Sequence, residues 1–256
     1  MCLITFAYRS HPDWDLVVLA NRDEFHARPS RPCQWWSTRP VLAGKDLQAG
    51  GTWLGVARNG RFAAVTNYRE VPPAQGERSR GELPLDFLTG DRTAEAHAEW
   101  LLPSGRHYGG FNLLLFDGER CVLVSNRLAE FVSLEPGVHA ISNGGLDTAW
   151  PKVVRTRRRL EMAIAEGRLE EGDLLNIVHD DRTAPAEQLP DTGIGEELER
   201  FLSPPFIRGD RYGTRASTLL WLGANGATLV EHRYGPEGAP LGRTREAFEV
   251  KRSDRP

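Results

Sequence analysis

A cysteine occupies the second position of the chain, directly after the initiator Met1. Methionine aminopeptidase removes an initiator methionine when the next side chain is small, as that of cysteine is. The mature chain would then carry a thiol and a free α-amine on one residue. Because an α-amine has a pKa of about 7.7–8.0, it can accept the thiol proton near neutral pH. Cys2 therefore offers a nucleophile with its own general base, unless it merely opens a buried strand.

Three apolar segments run into an asparagine, at Asn21, Asn67 and Asn143. Asparagine is common at strand ends because it tolerates turn geometry. Its amide can also stabilise the oxyanion of an acyl-transfer reaction. The polar run at 21–24 is the most informative, because it directly follows a fully apolar segment and buried polar groups need partners. A carboxylate there could bind the terminal amine, and an arginine could orient a thiolate or bind an anionic group.

Other residues that could form a site have simpler explanations as well. Arg215 lies at the head of an otherwise apolar segment, where it is either a strand-end charge or a site residue. Trp53 either lines a pocket or packs in the core. The seven histidines show no paired metal-ligand spacing, and the chain contains neither a Walker A nor a dinucleotide-binding motif. We therefore expect no metal and no cofactor.

Composition limits the classes of protein that fit. The net charge of -3 argues against nucleic acid as a partner, since nucleic-acid binders usually carry a basic excess. No segment approaches the roughly 18 apolar residues of a membrane span, so no stable membrane insertion is expected. The three cysteines form neither a disulfide framework nor a metal motif, and no signal peptide is evident, so we expect a cytoplasmic protein.

The elements that must position these residues run in the order strands, helices, strands. Residues 16–20 are apolar at every position, which suits a strand covered on both faces. Asn59-Gly60 between two apolar segments predicts a hairpin. Helices are predicted at 151–166 and 170–178. We expect one domain, spanning 1–256, with two stacked and largely antiparallel sheets between helix layers, and Cys2 near the middle of one sheet.

The chain resembles the NRDE family, also called the transport and Golgi organization family. The resemblance covers essentially the whole chain, and the motifs that carry it follow Met1-Cys2 in order: Asn21-Arg22-Asp23-Glu24, Gly50-Gly51-Thr52-Trp53-Leu54-Gly55, Thr66-Asn67-Tyr68, Ser142-Asn143-Gly144 and Tyr212-Gly213-Thr214-Arg215. This family is similar in arrangement to N-terminal nucleophile hydrolases of the bile-salt hydrolase and penicillin V acylase type. The resemblance therefore implies an α+β fold, the four-layer αββα sandwich.

The same resemblance implies roles for individual residues. Cys2 matches the nucleophile, and Asp23 the aspartate that holds its α-amine, with Arg22 or Asn21 as the polar group beside it. The oxyanion-side asparagines are matched by Asn67 and Asn143, and the arginine facing the nucleophile by Arg215. Substrate contacts are expected from Asn21, Arg22, Trp53 and Tyr68. Arg22 and Asp23 are adjacent here, whereas the hydrolases separate these residues by three positions; because strands alternate faces, both cannot point inward without a bulge or turn.

Two functions that use a pocket follow from this interpretation, beside a third, an intracellular interaction protein without a pocket. The first is an N-terminal nucleophile hydrolase in which Cys2, after removal of Met1, cleaves a linear or non-peptide carbon–nitrogen amide bond. The second is a non-catalytic binding or trafficking protein, whose pocket carries haem or an acyl-CoA lipid, since the family is associated with lipid homeostasis and with haem. In both cases the expected partner is a small molecule.

Overall fold

Within residues 3–251, which the computed structural model describes, the chain forms thirteen β-strands and five α-helices. The strands are β1 (Leu3–Tyr8), β2 (Leu16–Phe25), β3 (Ser30–Trp35), β4 (Val41–Asp46), β5 (Leu54–Ala57), β6 (Phe62–Asn67), β7 (Phe111–Phe116), β8 (Cys121–Ser125), β9 (Glu130–Ser133), β10 (Gly137–Ile141), β11 (Tyr212–Leu222), β12 (Gly226–Tyr234) and β13 (Pro240–Glu249). The helices are α1 (Glu82–Thr89), α2 (Ala94–Leu101), α3 (Pro151–Ala165), α4 (Glu171–Val178) and α5 (Glu196–Phe201).

These strands form two sheets whose neighbouring strands pair antiparallel. The first sheet has six strands in the order β10-β1-β2-β11-β12-β13, and the second has seven in the order β3 to β9. A large apolar cluster fills the space between them, joining Ile4 and Val18 of the six-stranded sheet to Leu42 and Leu114 of the seven-stranded sheet. Burial of apolar surface between the sheets is the main stabilising term of this arrangement.

Helices cover the outer face of each sheet. The pair α1 and α2 packs on the seven-stranded sheet, and the pair α3 and α4 packs on β1, β2, β10 and β11 of the six-stranded sheet. The result is four layers in the order helix, sheet, sheet, helix. The predicted α+β fold class, a four-layer αββα sandwich, is therefore confirmed. None of the helices within 3–251 is long and apolar enough to cross a membrane.

The position of β2 between the second sheet and the helix layer explains why residues 16–20 are all apolar. Val18 and Ala20 face the cluster between the sheets. Val17 and Leu19 face the opposite way, where they pack with Leu174 of α4. Because successive side chains point to opposite faces of a strand, cover on both sides requires apolar residues at every position.

The structure also corrects the predicted limits of some elements. The polar run at 21–24 does not follow β2 but lies within it, because the strand continues to Phe25 and pairs with the start of β11 at Tyr212. The strands β3, β4 and β9 were not predicted from the sequence. The strands β3 and β9 lie at the edges of the seven-stranded sheet and are largely exposed, so their residues lack the apolar pattern of the inner strands. The inner strand β4 is buried, but its apolar segment is short and runs into Gly44 and Lys45.

Candidate functional site

The last third of β2 directs neighbouring charged residues to opposite faces of the six-stranded sheet. Arg22 points between the two sheets, where its guanidinium carbon lies 4.2 Å from the ring centre of Trp53. Asp23 points to the other face, where its Oδ1 accepts a hydrogen bond of 2.6 Å from the hydroxyl of Thr214. Both residues are buried, with 4% exposure each. The alternation expected of a strand thus separates the two groups.

Arg22 is held between the sheets by the carboxylate of Asp46 at the end of β4. Its Nη2 lies 3.3 Å from Asp46 Oδ2, and the same oxygen accepts a hydrogen bond of 2.6 Å from Arg28 Nε. The other oxygen, Oδ1, accepts from the backbone N–H groups of Gln48 and Ala49. Burial alone raises the pKa of Asp46, but the hydrogen bonds and charges outweigh it, so the pKa is lowered. Asp46 is therefore a fixed anion between two guanidinium groups.

A cleft of about 680 Å³ opens on this arrangement. Arg22, Trp53 and Asn67 line it, so three of the residues predicted for the site share one cavity. Most of the remaining wall comes from the loop between β4 and β5 and from the loop before α1, and the end of β2 and the turn after it also contribute. Six charged residues face the cleft: Arg22, Glu24, Arg28, Asp46, Arg78 and Arg80.

The two predicted oxyanion residues meet beside the cleft, which Asn67 lines and Asn143 does not. Asn67 ends β6, and Asn143 follows β10, two residues after that strand ends. The side-chain amide of Asn143 donates a hydrogen bond of 2.8 Å to the backbone carbonyl of Asn67. The backbone N–H of Arg69 in turn donates to the carbonyl of Asn143 at 2.7 Å. These two hydrogen bonds join the end of β6 to the segment that follows β10.

The two asparagines differ in their exposure to solvent. Asn67 is exposed, and no described residue forms a hydrogen bond with its side-chain amide. Asn143 is buried, with 6% exposure. Both line a second cavity, of about 250 Å³, together with Tyr68. Because Asn67 lines this cavity and the larger cleft, it marks the junction between them.

Arg215 lies at a β-bulge where β11 leaves its regular pairing with β2. Thr214 pairs with Asp23 and Ala216 with Arg22, so Arg215 is the extra residue between them. Its guanidinium donates to the backbone carbonyls of Phe25 and Arg28. Burial lowers the pKa of Arg215. It shares a third cavity, of about 190 Å³, with Arg22 and Trp53.

Asn21 is placed differently from the prediction of a substrate contact. It is fully buried and faces the helix layer, and it lines none of the three cavities described above. Its amide nitrogen donates to the carbonyls of Val178 and Pro205, both at 2.8 Å. Its amide oxygen accepts from the hydroxyl of Ser217 at 2.7 Å. With these three bonds made, Asn21 fastens β2 to α4 and to β11 and has a structural role.

The predicted nucleophile, Cys2, lies outside the described residues, and its role stays a prediction. The first described residue, Leu3, pairs with Asn21 across β1 and β2 and packs against Val153 of α3. The prediction that Asp23 holds the α-amine of Cys2 also stays a prediction. The carboxylate of Asp23 is nevertheless buried rather than directed to solvent.

Comparison with known proteins gives the family of the chain. A family model described as "Transport and Golgi organisation 2" matches residues 1–236. The chain belongs to this family. The "Transport and Golgi organization protein 2 homolog" of Bos taurus is 34% identical over 259 residues, which cover 91% of this chain and 92% of the relative. The resemblance to the transport and Golgi organization family is thereby confirmed.

Two solved structures were also matched. One is the Caenorhabditis elegans ortholog of N-acylethanolamine-hydrolyzing acid amidase, with a TM-score of 0.49 and 9% identity, covering 86% of this chain and 92% of that one. The other is a mutant conjugated bile acid hydrolase from Clostridium perfringens, also with a TM-score of 0.49 and 9% identity, covering 99% and 94% of the two chains.

In this family member, several residues of the cleft had not been predicted from the sequence. Asp46 and Arg28 hold Arg22 in place, and Arg80 lines both the large cleft and the cavity beside Asn143. The sequence did carry a signal for Asp46, because Lys45-Asp46 follows the apolar segment 41–44. The polar run at 21–24 follows the apolar segment 16–20 in the same way. Arg28 and Arg80 lie in polar stretches where an arginine carries no such signal.

The described part of the chain holds no cluster of three His, Cys, Asp or Glu side chains arranged to bind a metal ion. The groups that face the cavities are instead guanidinium groups, carboxylates and amides. Such groups bind and polarise carbonyl and carboxylate groups by hydrogen bonds. The geometry of the described residues is thus suited to orienting a polar carbonyl compound.

Proposed function

We propose that this protein hydrolyses a carbon–nitrogen amide bond, with Cys2 as the N-terminal nucleophile after removal of Met1. One observation carries the proposal: Asn67 and Asn143, 76 residues apart in sequence, are joined by a hydrogen bond, and Asn67 lines the cleft that Arg22 also lines. Cys2 is covalently attached to Leu3, which pairs with Asn21, the residue that precedes Arg22. The chemistry of an N-terminal thiol supports this assignment.

In the proposed reaction, the α-amine of Cys2 takes the thiol proton and the thiolate attacks the amide carbon. The exposed side-chain amide of Asn67 donates a hydrogen bond to the oxyanion that forms, and Asn143 positions it by fixing the Asn67 backbone. The C–N bond then breaks, and the ammonium group returns a proton to the leaving nitrogen. Water hydrolyses the resulting thioester, losing a proton to the α-amine, and the thiol is regenerated as the C–S bond breaks.

Arg22 and Asp23 serve different parts of this proposal because they lie on opposite faces of β2. Arg22 borders the cleft and orients the substrate there. Asp23, buried on the helix side and bonded to Thr214, is assigned to the α-amine of Cys2. A buried carboxylate beside the α-amine stabilises the ammonium form of that amine. It therefore favours transfer of the thiol proton to the amine.

The chemistry of the cleft favours a polar amide over a lipid or haem. Six charged residues line it, and apolar side chains such as Trp53 and Val65 form the smaller part of its wall. Ligand sites for apolar molecules are lined mainly by hydrophobic and aromatic side chains. No histidine, cysteine or methionine is among the described residues that line the three cavities.

A second candidate is a carrier for haem or an acyl-CoA lipid that uses the same cleft without catalysis. The name of the bovine relative refers to transport and Golgi organization, which is consistent with a carrier but names neither haem nor a lipid. A carrier would bind its ligand without forming a covalent intermediate.

The experiment that separates the two candidates is intact-mass spectrometry of the purified protein incubated with a panel of acyl-amides and thioesters. A hydrolase is expected to lack Met1, to gain the mass of an acyl group on Cys2, and to release amine. Cys2→Ala should abolish adduct and turnover, whereas Cys33→Ala, at a buried thiol, should retain both. Retention of Met1, with no adduct or turnover but tight binding of haem or acyl-CoA, would establish the carrier instead.

A further inference from the structure

The third cavity, of about 190 Å³, is lined by an excess of positive charge. Its charged residues are four arginines and one glutamate: Arg22, Arg31, Arg215, Arg233 and Glu231. Glu231 is buried, with 2% exposure, and its carboxylate accepts a hydrogen bond of 2.9 Å from the backbone N–H of Cys33. One buried carboxylate therefore faces four guanidinium groups.

The ion pairs around this cavity leave part of that charge unbalanced. Arg22 is paired with Asp46, and Arg233 lies 3.6 Å from Glu231. Arg31 and Arg215 have no carboxylate within 4.0 Å among the described residues. In addition, Arg215 Nε is buried, and no described residue accepts a hydrogen bond from it. The guanidinium groups of Arg31 and Arg215 thus bring positive charge to the cavity without a close carboxylate partner.

The backbone near Arg233 leaves room for its guanidinium. Gly242 on β13 lies beside it with a φ of +144°, and a Cβ atom on Gly242 would lie 2.6 Å from Arg233 Nη2. Arg233 is further fixed by a hydrogen bond of 2.8 Å from its Nη1 to the hydroxyl of Thr244. Contacts with β13 therefore fix the position of the Arg233 guanidinium.

We propose that this cavity binds an oxyanion and receives the carboxylate of an anionic amide substrate, the guanidinium groups of Arg31, Arg215 and Arg233 being its donors. Guanidinium groups form planar forks that match carboxylate and phosphate oxygens. Burial raises the pKa of Glu231, so the carboxylate of this residue offsets the positive charge of the cavity only in part. At about 190 Å³, the cavity has room for one small anionic group rather than for a large polyanion.

The cavity adjoins the cleft, since Arg22 and Trp53 line both. A molecule with its amide beside Arg22 can extend past these two side chains into the cavity. The link to a substrate rests on the proposed hydrolase function, whereas the binding of an oxyanion does not. The substrate class that follows is an N-acyl amino acid or a similar amide with a carboxylate on one side of the scissile bond.

Binding is tested with N-benzoylglycine and with N-benzoylglycinamide, which lacks the negative charge. Calorimetry on the Cys2→Ala protein prevents turnover from entering the measurement. The carboxylate ligand should bind at least tenfold more tightly than the amide. Arg233→Gln should reduce the affinity for N-benzoylglycine about tenfold and leave that for N-benzoylglycinamide unchanged.

Two further variants complete the test. Because Arg233→Gln leaves Glu231 without its nearest cation and can disturb folding, Arg31→Gln at an exposed position is the second variant, with the same expected direction. Arg106→Gln, at an exposed arginine that lines none of the cavities described, is the matched control and should bind both ligands as before.

The outcomes separate this proposal from the proposed function. Equal affinity for the charged and neutral ligands, or an affinity that neither arginine variant changes, overturns the proposal whatever the wild type hydrolyses. Binding of inorganic phosphate alone, weakened by Arg233→Gln but not displaced by N-benzoylglycine, overturns the assignment to a substrate carboxylate and supports a site for free phosphate. Arginine-dependent binding of N-benzoylglycine without wild-type turnover supports the anion site and counts against the hydrolase.

Discussion

Arg22 and Asp23 are adjacent in sequence but lie on opposite faces of β2, with Arg22 stacked on Trp53 and Asp23 bonded to Thr214. The partner strand follows both residues, because its bulge at Arg215 shifts the register between the pair Thr214–Asp23 and the pair Ala216–Arg22. One strand therefore supplies a guanidinium to the cleft between the sheets and a carboxylate to the helix side. Arg22 and Asp23 therefore approach any shared reacting group from opposite faces of β2.

Asn67→Ala is expected to lower activity without a large loss of stability. The side chain is exposed in the cleft and is assigned to the oxyanion. Loss of one oxyanion donor typically lowers kcat about 10²–10³-fold, and exposed substitutions change the free energy of unfolding by about 0.5 kcal/mol or less. Steady-state kinetics and urea denaturation measure the two effects. Wild-type kcat in the variant would remove Asn67 from the mechanism.

Asn21→Ala should have the opposite profile. It leaves the carbonyls of Val178 and Pro205 and the hydroxyl of Ser217 without their buried partner. We expect a loss of about 2–4 kcal/mol in the free energy of unfolding, since several buried polar groups lose their hydrogen bonds. Urea denaturation beside Asn67→Ala provides the comparison, and an equal stability of the two variants would contradict the structural role of Asn21.

Iodoacetamide should label the folded protein at Cys2 in preference to the other two thiols. Cys33 and Cys121 are buried, with 4% and 1% exposure, and burial raises the pKa of both. Reaction requires an accessible thiolate, which these two residues lack. Peptide mapping after substoichiometric labelling gives the site, and denatured protein, in which all three should react, is the control. Preferential modification of Cys33 or Cys121 in the folded state would reject Cys2 as the reactive thiol.

Gly44→Ala should disturb the wall of the cleft through Trp53, although Gly44 itself does not line the cleft. A Cβ at Gly44 would lie 2.4 Å from ring atoms Cζ2 and Cη2 of Trp53, so the indole must move and Arg22 must lose its stacking. We expect a loss of stability of about 1–3 kcal/mol and a change in tryptophan fluorescence. Gly172→Ala, where a Cβ would meet nothing within 4 Å, is the matched control and should retain the wild-type fluorescence. Unchanged fluorescence in Gly44→Ala would contradict the contact.

The stability of the protein should fall as the pH drops from about 6.5 to 4, in part because of His97. Burial, followed by the charges of Arg61 and Arg92, lowers the pKa of His97 to about 4, whereas an unfolded histidine has a pKa of about 6.5. Between these values the unfolded state binds more protons, so the stabilisation is complete above pH 6.5 and is lost below it.

The variant that tests this is His97→Leu, at a position between Phe87 and Trp100. Its free energy of unfolding should depend less steeply on pH between 4 and 6.5 than that of the wild type. A residual slope is expected from His179, whose pKa burial also lowers to about 4. Urea denaturation at a series of pH values gives both slopes, and identical slopes would exclude His97 as a contributor.

Much of the fold could be predicted from local patterns in the sequence. The fully apolar segment at 16–20 required cover on both faces, and β2 has it, because its alternate side chains meet the second sheet and α4. The turn at Asn59-Gly60 separates β5 from β6, as predicted. Edge strands such as β3 were missed, because a largely exposed strand carries little apolar periodicity.

The sequence by itself determined the family, the layered fold and the residue types of the candidate site, because these depend on local patterns and motifs. Only the tertiary structure decided which way each side chain points. Asn21 and Asn67 looked alike as asparagines after apolar segments, yet one is bonded on three sides in the helix layer and the other faces the cleft. The partnership of Arg22 with Asp46 was likewise decided by the stacking of one sheet on the other, since a contact between sheets leaves no periodicity in either strand.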